Sequence, residues 1–136
     1  MSKLFQNLKY KVGLISTVRN MIGEKELSTN NTTPDSLTLN ELLFEMVKTG
    51  CSYCFMEVSS HSVVQHRIDS LRFSGAIFTN ITHDHLDYHG TFEEYIKAKQ
   101  GFLDMLPGEA FVLSNLDDKN AKVLDKNSKA VKKYFS

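Results

Sequence analysis

The chain has no tryptophan, only two prolines and two cysteines, and no excess of charge of either sign. Lysine plus arginine and aspartate plus glutamate each number 16, so the composition does not favour a nucleic acid or another polyanion as partner. No apolar run approaches the roughly 18 residues of a membrane-spanning helix, and no signal peptide is recognisable. We therefore expect a cytoplasmic protein that binds neither nucleic acid nor membrane.

The two cysteines also exclude a structural zinc site. Cys51 and Cys54 are three positions apart and have no second pair to complete the ligand set. We expect buried, reduced thiols rather than a redox pair. At 136 residues and 41% hydrophobic content, the chain is long enough for one sizeable core and too short for two ordinary domains. One domain over residues 1–136 is the expectation.

Four short, nearly continuous apolar runs are typical of strands covered on both faces. They are Lys11–Thr17, Tyr53–Val58, Gly75–Thr82 and Ala110–Asn115. Helical patterns fall between them, and this alternation predicts an α/β fold with a mostly parallel sheet flanked by helices.

Two of the helices have start and stop signals. The first is predicted from a capping box of Thr38 and Glu41 to Gly50, with apolar positions at helical spacing. These positions are Leu39, Leu42, Leu43, Met46 and Val47. The second is predicted from a box of Thr91 and Glu94 until Pro107 stops it.

Two polar stretches interrupt the alternation. Gly23–Pro34 predicts a long loop or irregular ribbon, and the lysine-rich tail Lys119–Lys133 predicts a solvated helix face with frayed ends. Ser2–Leu8 resembles the last turns of a helix with no strand before it, so we expect the fold to be incomplete at its amino terminus, with reduced stability and exposed apolar surface.

The segment Thr82–Gly90 carries three histidines and two aspartates directly after the third predicted strand. Carboxyl ends of parallel strands are where ligands bind, and imidazole and carboxylate are metal ligands. The cluster therefore favours a metal site, with a polar surface loop as the alternative.

Glu57 and Lys99 are further candidates. Glu57 ends the second predicted strand, where its carboxylate either binds a cation or accepts hydrogen bonds from backbone amides. Lys99 lies three or four positions from Tyr95, Ile96 and Phe102, on the apolar face of its helix. Burial lowers the pKa of a lysine and frees its neutral amine to react, for example with carbon dioxide; snorkelling of the charge to water is the alternative.

Amides, hydroxyls and a guanidinium follow the irregular stretch and the second strand. Such groups suit a polar, anionic ligand, although an Asn/Thr turn is usually only a turn. The candidate residues are Asn31, Thr32, Thr33, Ser59, Gln65 and Arg67.

Together these segments resemble the Mur ligases, ATP-dependent amide-forming enzymes of peptidoglycan assembly. The resemblance is carried by MEVSSHSVVQHR at 56–67 and GAIFTNITHDHLDYHGTFEEYIKAKQ at 75–100. With the TTPD segment at 32–35, they are most similar to members that add meso-diaminopimelate or L-lysine to UDP-N-acetylmuramoyl-L-alanyl-D-glutamate (UDP-MurNAc-L-Ala-D-Glu). The resemblance implies the central domain of such a ligase, which is similar to P-loop NTPases.

The resemblance also implies roles for the candidate residues. Glu57, His85 and Lys99 would be catalytic and would hold Mg²⁺ at one sheet edge, with Lys99 carried as a carbamate. The six polar candidates would contact UDP-MurNAc-L-Ala-D-Glu, and ATP would be the co-substrate. A GTNGKT-like phosphate-binding turn is not in the sequence, and neither are the family's amino- and carboxyl-terminal domains.

We therefore expect a central-domain fragment that is inactive alone. Other hypotheses are a non-catalytic module that binds the nucleotide precursor and a metal, a remnant that binds nothing, and a metal-dependent hydrolase that uses the histidine cluster.

Overall fold

The computed structural model describes residues 1–81 and 90–136. They divide into two compact units, Met1–Ile68 and Asp69–Ser136. The expected α/β class is confirmed, although the strands form two sheets rather than one.

The first unit contains a mixed sheet of four strands. Its elements are α1 (Ser2–Asn7), β1 (Val12–Ile15), β2 (Asn20–Ile22), β3 (Lys25–Leu27), α2 (Ser36–Lys48), β4 (Tyr53–Met56) and α3 (Ser60–Val64). The strand order is β3-β2-β1-β4, in which β1 and β4 are parallel and the other two pairings are antiparallel.

Both faces of this sheet are covered, as predicted from its apolar runs. The ring of Phe5 in α1 packs edge-to-face against Tyr53 and Phe55, which lie on one face of β4. Cys54 lies between Tyr53 and Phe55 in β4, so its side chain is on the other face of the sheet. Gly13 of β1 is in register with Cys54, and a Cβ at Gly13 would meet the Met46 side chain of α2 on that other face. The two helices therefore cover opposite faces.

The helix α2 begins at a different residue from the one predicted. Its N-cap is Asp35, whose carboxylate accepts hydrogen bonds from the amides of Leu37 and Thr38, so a capping box that starts at Thr38 is wrong. Asp35 was overlooked because Thr38 and Glu41 fit the box pattern equally well. Gly50 does follow the helix end, with φ +83°.

One side of α2 exposes apolar residues. Leu39 and Met46 are buried as predicted, but Val47, predicted on the packed face, is 75% exposed. Leu37 and Phe44 are exposed beside it. Helix α2 therefore leaves an apolar surface exposed.

The irregular ribbon predicted at Gly23–Pro34 is partly a hairpin. β2 and β3 are joined by a two-residue turn in which Gly23 has φ +62°, as the first turn position requires. The strands have only three residues each and include Asn20, Lys25 and Glu26, so their pattern was too short and too polar to be recognised.

The second unit contains a wholly parallel sheet. Its elements are β5 (Gly75–Phe78), α4 (Phe92–Asp104), β6 (Phe111–Asn115), α5 (Ala121–Leu124) and β7 (Val131–Phe135), with strand order β5-β6-β7. Thr91 is the N-cap of α4 and accepts from the amide of Glu94, which confirms the predicted helix start.

The core of this unit lies between the sheet and its helices. Its buried residues are Ala76, Phe78, Leu103, Leu106, Ala110, Val112, Ala121, Leu124 and Ala130. The tail was predicted as a helix face, and this is wrong beyond the short helix α5. Val131–Phe135 pairs in parallel with β6, and its Lys132 and Lys133 suit an exposed edge strand.

The cysteines are only partly as expected. Both are free thiols, but Cys51 is half-buried and Cys54 is exposed, so the prediction of burial is wrong for Cys54. Desolvation nevertheless raises the pKa of the Cys54 thiol to about 11. Thiolate is therefore scarce at neutral pH, which does not favour a redox role.

Candidate functional site

Glu57 lies where two parallel strands of the first unit end. Ile15 and Met56 are in register at the carboxyl ends of β1 and β4, so Thr17 and Glu57 follow at the same edge. The amide and the hydroxyl of Thr17 both donate to Oε2 of Glu57, at 2.7 and 2.8 Å. Oε1 accepts no hydrogen bond from a described residue. Sequence reasoning correctly assigned Glu57 to a sheet edge and missed Thr17.

The threonines of the TTPD segment connect to this glutamate. The hydroxyl oxygens of Thr32 and Thr17 are 2.9 Å apart. The Thr33 hydroxyl donates to the carbonyl of Glu57 at 2.9 Å and accepts from the amide of Ser59 at 3.1 Å. Thr33 is 1% exposed, so its hydroxyl is committed to holding the chain that follows β4.

Ser59 caps the short helix α3. Its hydroxyl accepts from the amide of Ser62 at 3.2 Å, and its own amide is held by Thr33. The segment from Glu57 to Ser62 is thus held by the Thr33 hydroxyl at Glu57 and Ser59, and by the Ser59 hydroxyl at Ser62. This fixed segment carries two of the predicted site residues, Glu57 and Ser59.

Arg67 is oriented by two other predicted residues. Its Nη1 donates to the carbonyl of Thr33 at 2.7 Å, and its Nε donates to Oε1 of Gln65 at 2.9 Å. Nη2 also contacts Gln65. Of the five N–H groups of a guanidinium, two make no hydrogen bond with the residues that the structure describes. Between Gln65 and Arg67, His66 has φ +55°, a conformation that few residues with a β-carbon adopt.

Asn31 is less constrained. It is exposed, and its backbone carbonyl accepts from the Thr29 hydroxyl at 2.7 Å. Of the six residues predicted to contact a nucleotide precursor, four are joined by hydrogen bonds to one another or to Glu57 within the first unit: Thr33, Ser59, Gln65 and Arg67. Thr32 is joined through Thr17.

Lys99 lies in the second unit, on helix α4. Its ammonium is 5.5 Å from the centroid of the Tyr95 ring, one turn earlier, and Tyr95 is 5% exposed. Lys99 is half-buried, whereas Lys97 is exposed and lies 3.6 Å from Glu93. Desolvation lowers the pKa of Lys99. The predicted location on the apolar face is confirmed.

The histidine cluster is outside the described residues. It includes His85, so that prediction remains untested. Within residues 1–81 and 90–136, no group of three or more His, Cys, Asp or Glu side chains could hold a metal. Glu57 still fits Mg²⁺, because this ion is usually held by one or two carboxylates and keeps several waters.

Asp118 and Asn115 hold the chain that follows β5, and sequence reasoning missed both. Asp118 accepts from the amides of Ile81 and Asn120, at 2.6 and 2.8 Å, and Asn115 donates to the carbonyl of Thr79 at 2.9 Å. Desolvation raises the pKa of Asp118, but its hydrogen bonds outweigh this effect and leave the pKa lowered. An Asn-x-x-Asp pattern after a strand was the available signal.

The chain matches the Mur ligase middle domain over residues 1–135. It belongs to the Mur ligase family.

Two curated Mur ligases illustrate the similarity. The chain is 57% identical over 128 residues to the UDP-N-acetylmuramoyl-L-alanyl-D-glutamate--2,6-diaminopimelate ligase of Cytophaga hutchinsonii. This match covers 94% of the chain and 26% of that protein. The chain is 59% identical over 127 residues to the ligase of the same name from Phocaeicola vulgatus, covering 93% and 26%. The chain thus spans about a quarter of the length of these relatives.

A solved structure of a UDP-N-acetylmuramoyl-L-alanyl-D-glutamate--2,6-diaminopimelate ligase has the same fold. The TM-score is 0.82 at 28% identity, and the match covers 99% of this chain and 28% of that one. No helix in the described part of this Mur ligase chain has the length and apolar character needed to cross a membrane.

Proposed function

We propose that this chain is the part of a Mur ligase that binds UDP-MurNAc-L-Ala-D-Glu and the Mg²⁺ used in its amidation. The relatives are named for 2,6-diaminopimelate, which favours this amino acid over L-lysine as the one added. The proposed place of action is the cytoplasm.

One observation carries the proposal. Five of the six residues expected to contact the precursor belong to a single hydrogen-bonded arrangement that also includes the candidate metal ligand Glu57. A chance set of turn residues does not need to be connected in this way. The connections fix these groups relative to one another before any ligand binds.

Charge supports an anionic ligand. Arg67 is held by neutral groups, a carbonyl and an amide side chain, so its positive charge is not cancelled by a carboxylate of the described chain. Its two remaining N–H groups suit a phosphate or carboxylate oxygen. In the proposed complex Arg67 binds an anionic group of the precursor, while Ser59, Thr32 and Asn31 contact neutral polar groups.

The proposed reaction proceeds through an acyl-phosphate. The terminal carboxylate of the precursor attacks the γ-phosphate of ATP, releasing ADP, and the incoming amine then displaces phosphate from the acyl carbon. Bound Mg²⁺ would supply charge stabilisation of the phosphoryl oxygens. Glu57 would offer Oε1 to the ion, and His85 would be a further ligand.

Lys99 has a distinct role in this proposal. Desolvation favours its neutral amine, which can add carbon dioxide and release a proton to form a carbamate. The side chain then carries a negative charge and two oxygens, which would help to hold a second Mg²⁺. The ring of Tyr95 shields one side of the amine from water.

We further propose that the 136-residue polypeptide alone does not hydrolyse ATP. Its sequence contains no glycine-rich turn of the GTNGKT type, whose backbone amides would cradle the phosphates. A non-catalytic module that binds the precursor and a metal without being part of a ligase is the second candidate function, and the intact hydrogen bonds around Thr33 favour it over an inert remnant.

Calorimetric titration with UDP-MurNAc-L-Ala-D-Glu in the presence of Mg²⁺ tests the proposal. We expect saturable binding that Arg67→Ala weakens at least tenfold. Arg72→Ala is the matched control, because Arg72 is an exposed arginine that pairs with Glu109 in the other unit. Absence of binding at millimolar precursor, or equal losses in both variants, would contradict it.

A further inference from the structure

Thr17 uses both of its donors on one oxygen of Glu57. Its amide nitrogen and hydroxyl oxygen lie 2.7 and 2.8 Å from Oε2, so one carboxylate oxygen accepts two hydrogen bonds from the same residue. Rotation about the last bond of Glu57 would break at least one of these hydrogen bonds. The carboxylate therefore has a fixed orientation in which Oε1 accepts no hydrogen bond from residues 1–81 or 90–136.

The direction of the adjoining hydrogen bond follows from counting protons. A threonine hydroxyl has one proton, and that of Thr17 is donated to Glu57. The contact of 2.9 Å between the Thr17 and Thr32 hydroxyls must then be donated by Thr32. The result is a directed chain from Thr32 through Thr17 to the carboxylate, and such chains strengthen their members.

We propose that Thr17 is a positioning residue that presents Oε1 of Glu57 to the divalent cation and couples cation binding to precursor binding through Thr32. This inference rests on the proposed function. A precursor that orders Thr32 strengthens the bond to Thr17 and thereby stabilises the metal-ready orientation of Glu57. Because coupling is reciprocal, the cation raises precursor affinity by the same factor.

The alternative is that Thr17 only finishes strand β1. In that case its loss would change stability but not the relation between the two ligands. Thr17→Val separates these readings, because it keeps the backbone amide bond, the β-branched shape and the volume and removes only the hydroxyl. Thr17→Ser restores the hydroxyl.

The test uses the 136-residue chain and Mn²⁺, an oxygen-preferring substitute for Mg²⁺ whose free form is measured by electron paramagnetic resonance. We expect Thr17→Val to weaken Mn²⁺ binding about tenfold, the lower end for loss of a group that orients a metal ligand, and Thr17→Ser to bind within about twofold of the parent. Unchanged Mn²⁺ affinity in Thr17→Val would overturn the positioning role.

Coupling is measured by repeating each titration with saturating UDP-MurNAc-L-Ala-D-Glu. In the parent chain the precursor tightens Mn²⁺ binding, and Mn²⁺ tightens precursor binding by an equal factor. Thr32→Val keeps both bonds from Thr17 to Glu57, so we expect it to retain the affinity for Mn²⁺ alone and lose the coupling. Coupling that survives in Thr32→Val would overturn the directed chain.

Failure of the proposed function gives a different result. If the parent chain does not bind the precursor, the proposed function fails, and the comparison of Thr17→Val with Thr17→Ser in Mn²⁺ alone still tests the positioning of Glu57. If Thr17→Val does not fold, Thr32→Val still measures the coupling between the two ligands. Thr17→Ser then still measures the orientation of Glu57 through the affinity for Mn²⁺ alone.

Discussion

The Lys99 ammonium lies over the ring of the buried Tyr95, 5.5 Å from its centroid, on helix α4. The attraction of a cation to an aromatic face contributes about 0.5–1 kcal/mol and partly offsets the cost of desolvating the charge. Two opposed effects therefore act on one side chain, and the pKa of Lys99 is lowered because desolvation is the larger.

Lys99→Met is expected to abolish carbamate formation. In ¹³C-bicarbonate the parent chain should show a carbamate carbon by NMR, and the variant should lose it while its free energy of unfolding changes by no more than about 1 kcal/mol. Lys97→Met is the control, because Lys97 is exposed on the same helix. A carbamate signal that persists in Lys99→Met would contradict the assignment.

The pH dependence of Lys99 follows from the direction of its shift. Because the pKa is below the ordinary value of 10.5, the neutral amine persists to lower pH than in a lysine peptide. Competitive labelling of the chain and of such a peptide with an amine reagent, read by mass spectrometry, should give a lower pH midpoint for Lys99. A midpoint at or above that of the peptide would exclude a lowered pKa for the half-buried amine of Lys99.

Asp118 is expected to stabilise the second unit. Asp118→Ala removes acceptors for two backbone amides and should lower the free energy of unfolding by about 1–2 kcal/mol at neutral pH. The neighbouring Asp117 has an exposed side chain, so Asp117→Ala should change it by less than about 0.5 kcal/mol. Equal effects would show that the hydrogen bonds of Asp118 contribute nothing specific.

At acid pH the parent chain and Asp118→Ala should have similar free energies of unfolding. The pKa of Asp118 is lowered in the folded chain, so its stabilisation is present above the unfolded value near 3.8 and is lost as the pH falls through the folded pKa. Urea unfolding of the parent and of Asp118→Ala between neutral pH and pH 3 measures the convergence. A constant difference over that range would argue against a contribution from the ionised carboxylate.

Helix α2 offers a test of which residue caps it. Asp35→Ala should lower the thermal midpoint, because two amides of the first turn lose their acceptor, whereas Asp35→Asn should retain most of the stability. Glu41→Ala should have little effect, although Glu41 belongs to the box that the sequence pattern favoured. A larger loss in Glu41→Ala than in Asp35→Ala would restore the original prediction.

The elements that sequence reasoning found are those whose signals are local and strong. The four apolar runs became β1, β4, β5 and β6, and Thr91 caps α4 as its pattern predicted. The strand β7 was missed because its lysines are typical of a solvated surface, and only pairing with β6 makes the segment a strand. Because β6 lies well before β7 in the chain, the residues of β7 alone do not reveal this pairing.

The site shows the same division. Glu57, Arg67 and the TTPD segment were recognisable by residue type and by resemblance. Thr17 was not, because a threonine after a strand is ordinary, and its importance arises only from proximity to Glu57, 40 positions later in the chain. The hydroxyl of Thr33 also holds the chain around Ser59, and its contact with the precursor stays a prediction.

The measurement that tests the central claim most directly is a titration of the ¹⁵N-labelled chain with UDP-MurNAc-L-Ala-D-Glu, followed by amide chemical shifts. We predict that the largest saturable changes within the first unit cluster at Thr32, Thr33, Ser59, Gln65 and Arg67, and that Arg67→Ala raises the precursor concentration needed for them at least tenfold. Saturable changes that leave these five amides unmoved, or no change at millimolar precursor, would contradict the claim that this hydrogen-bonded set holds the precursor.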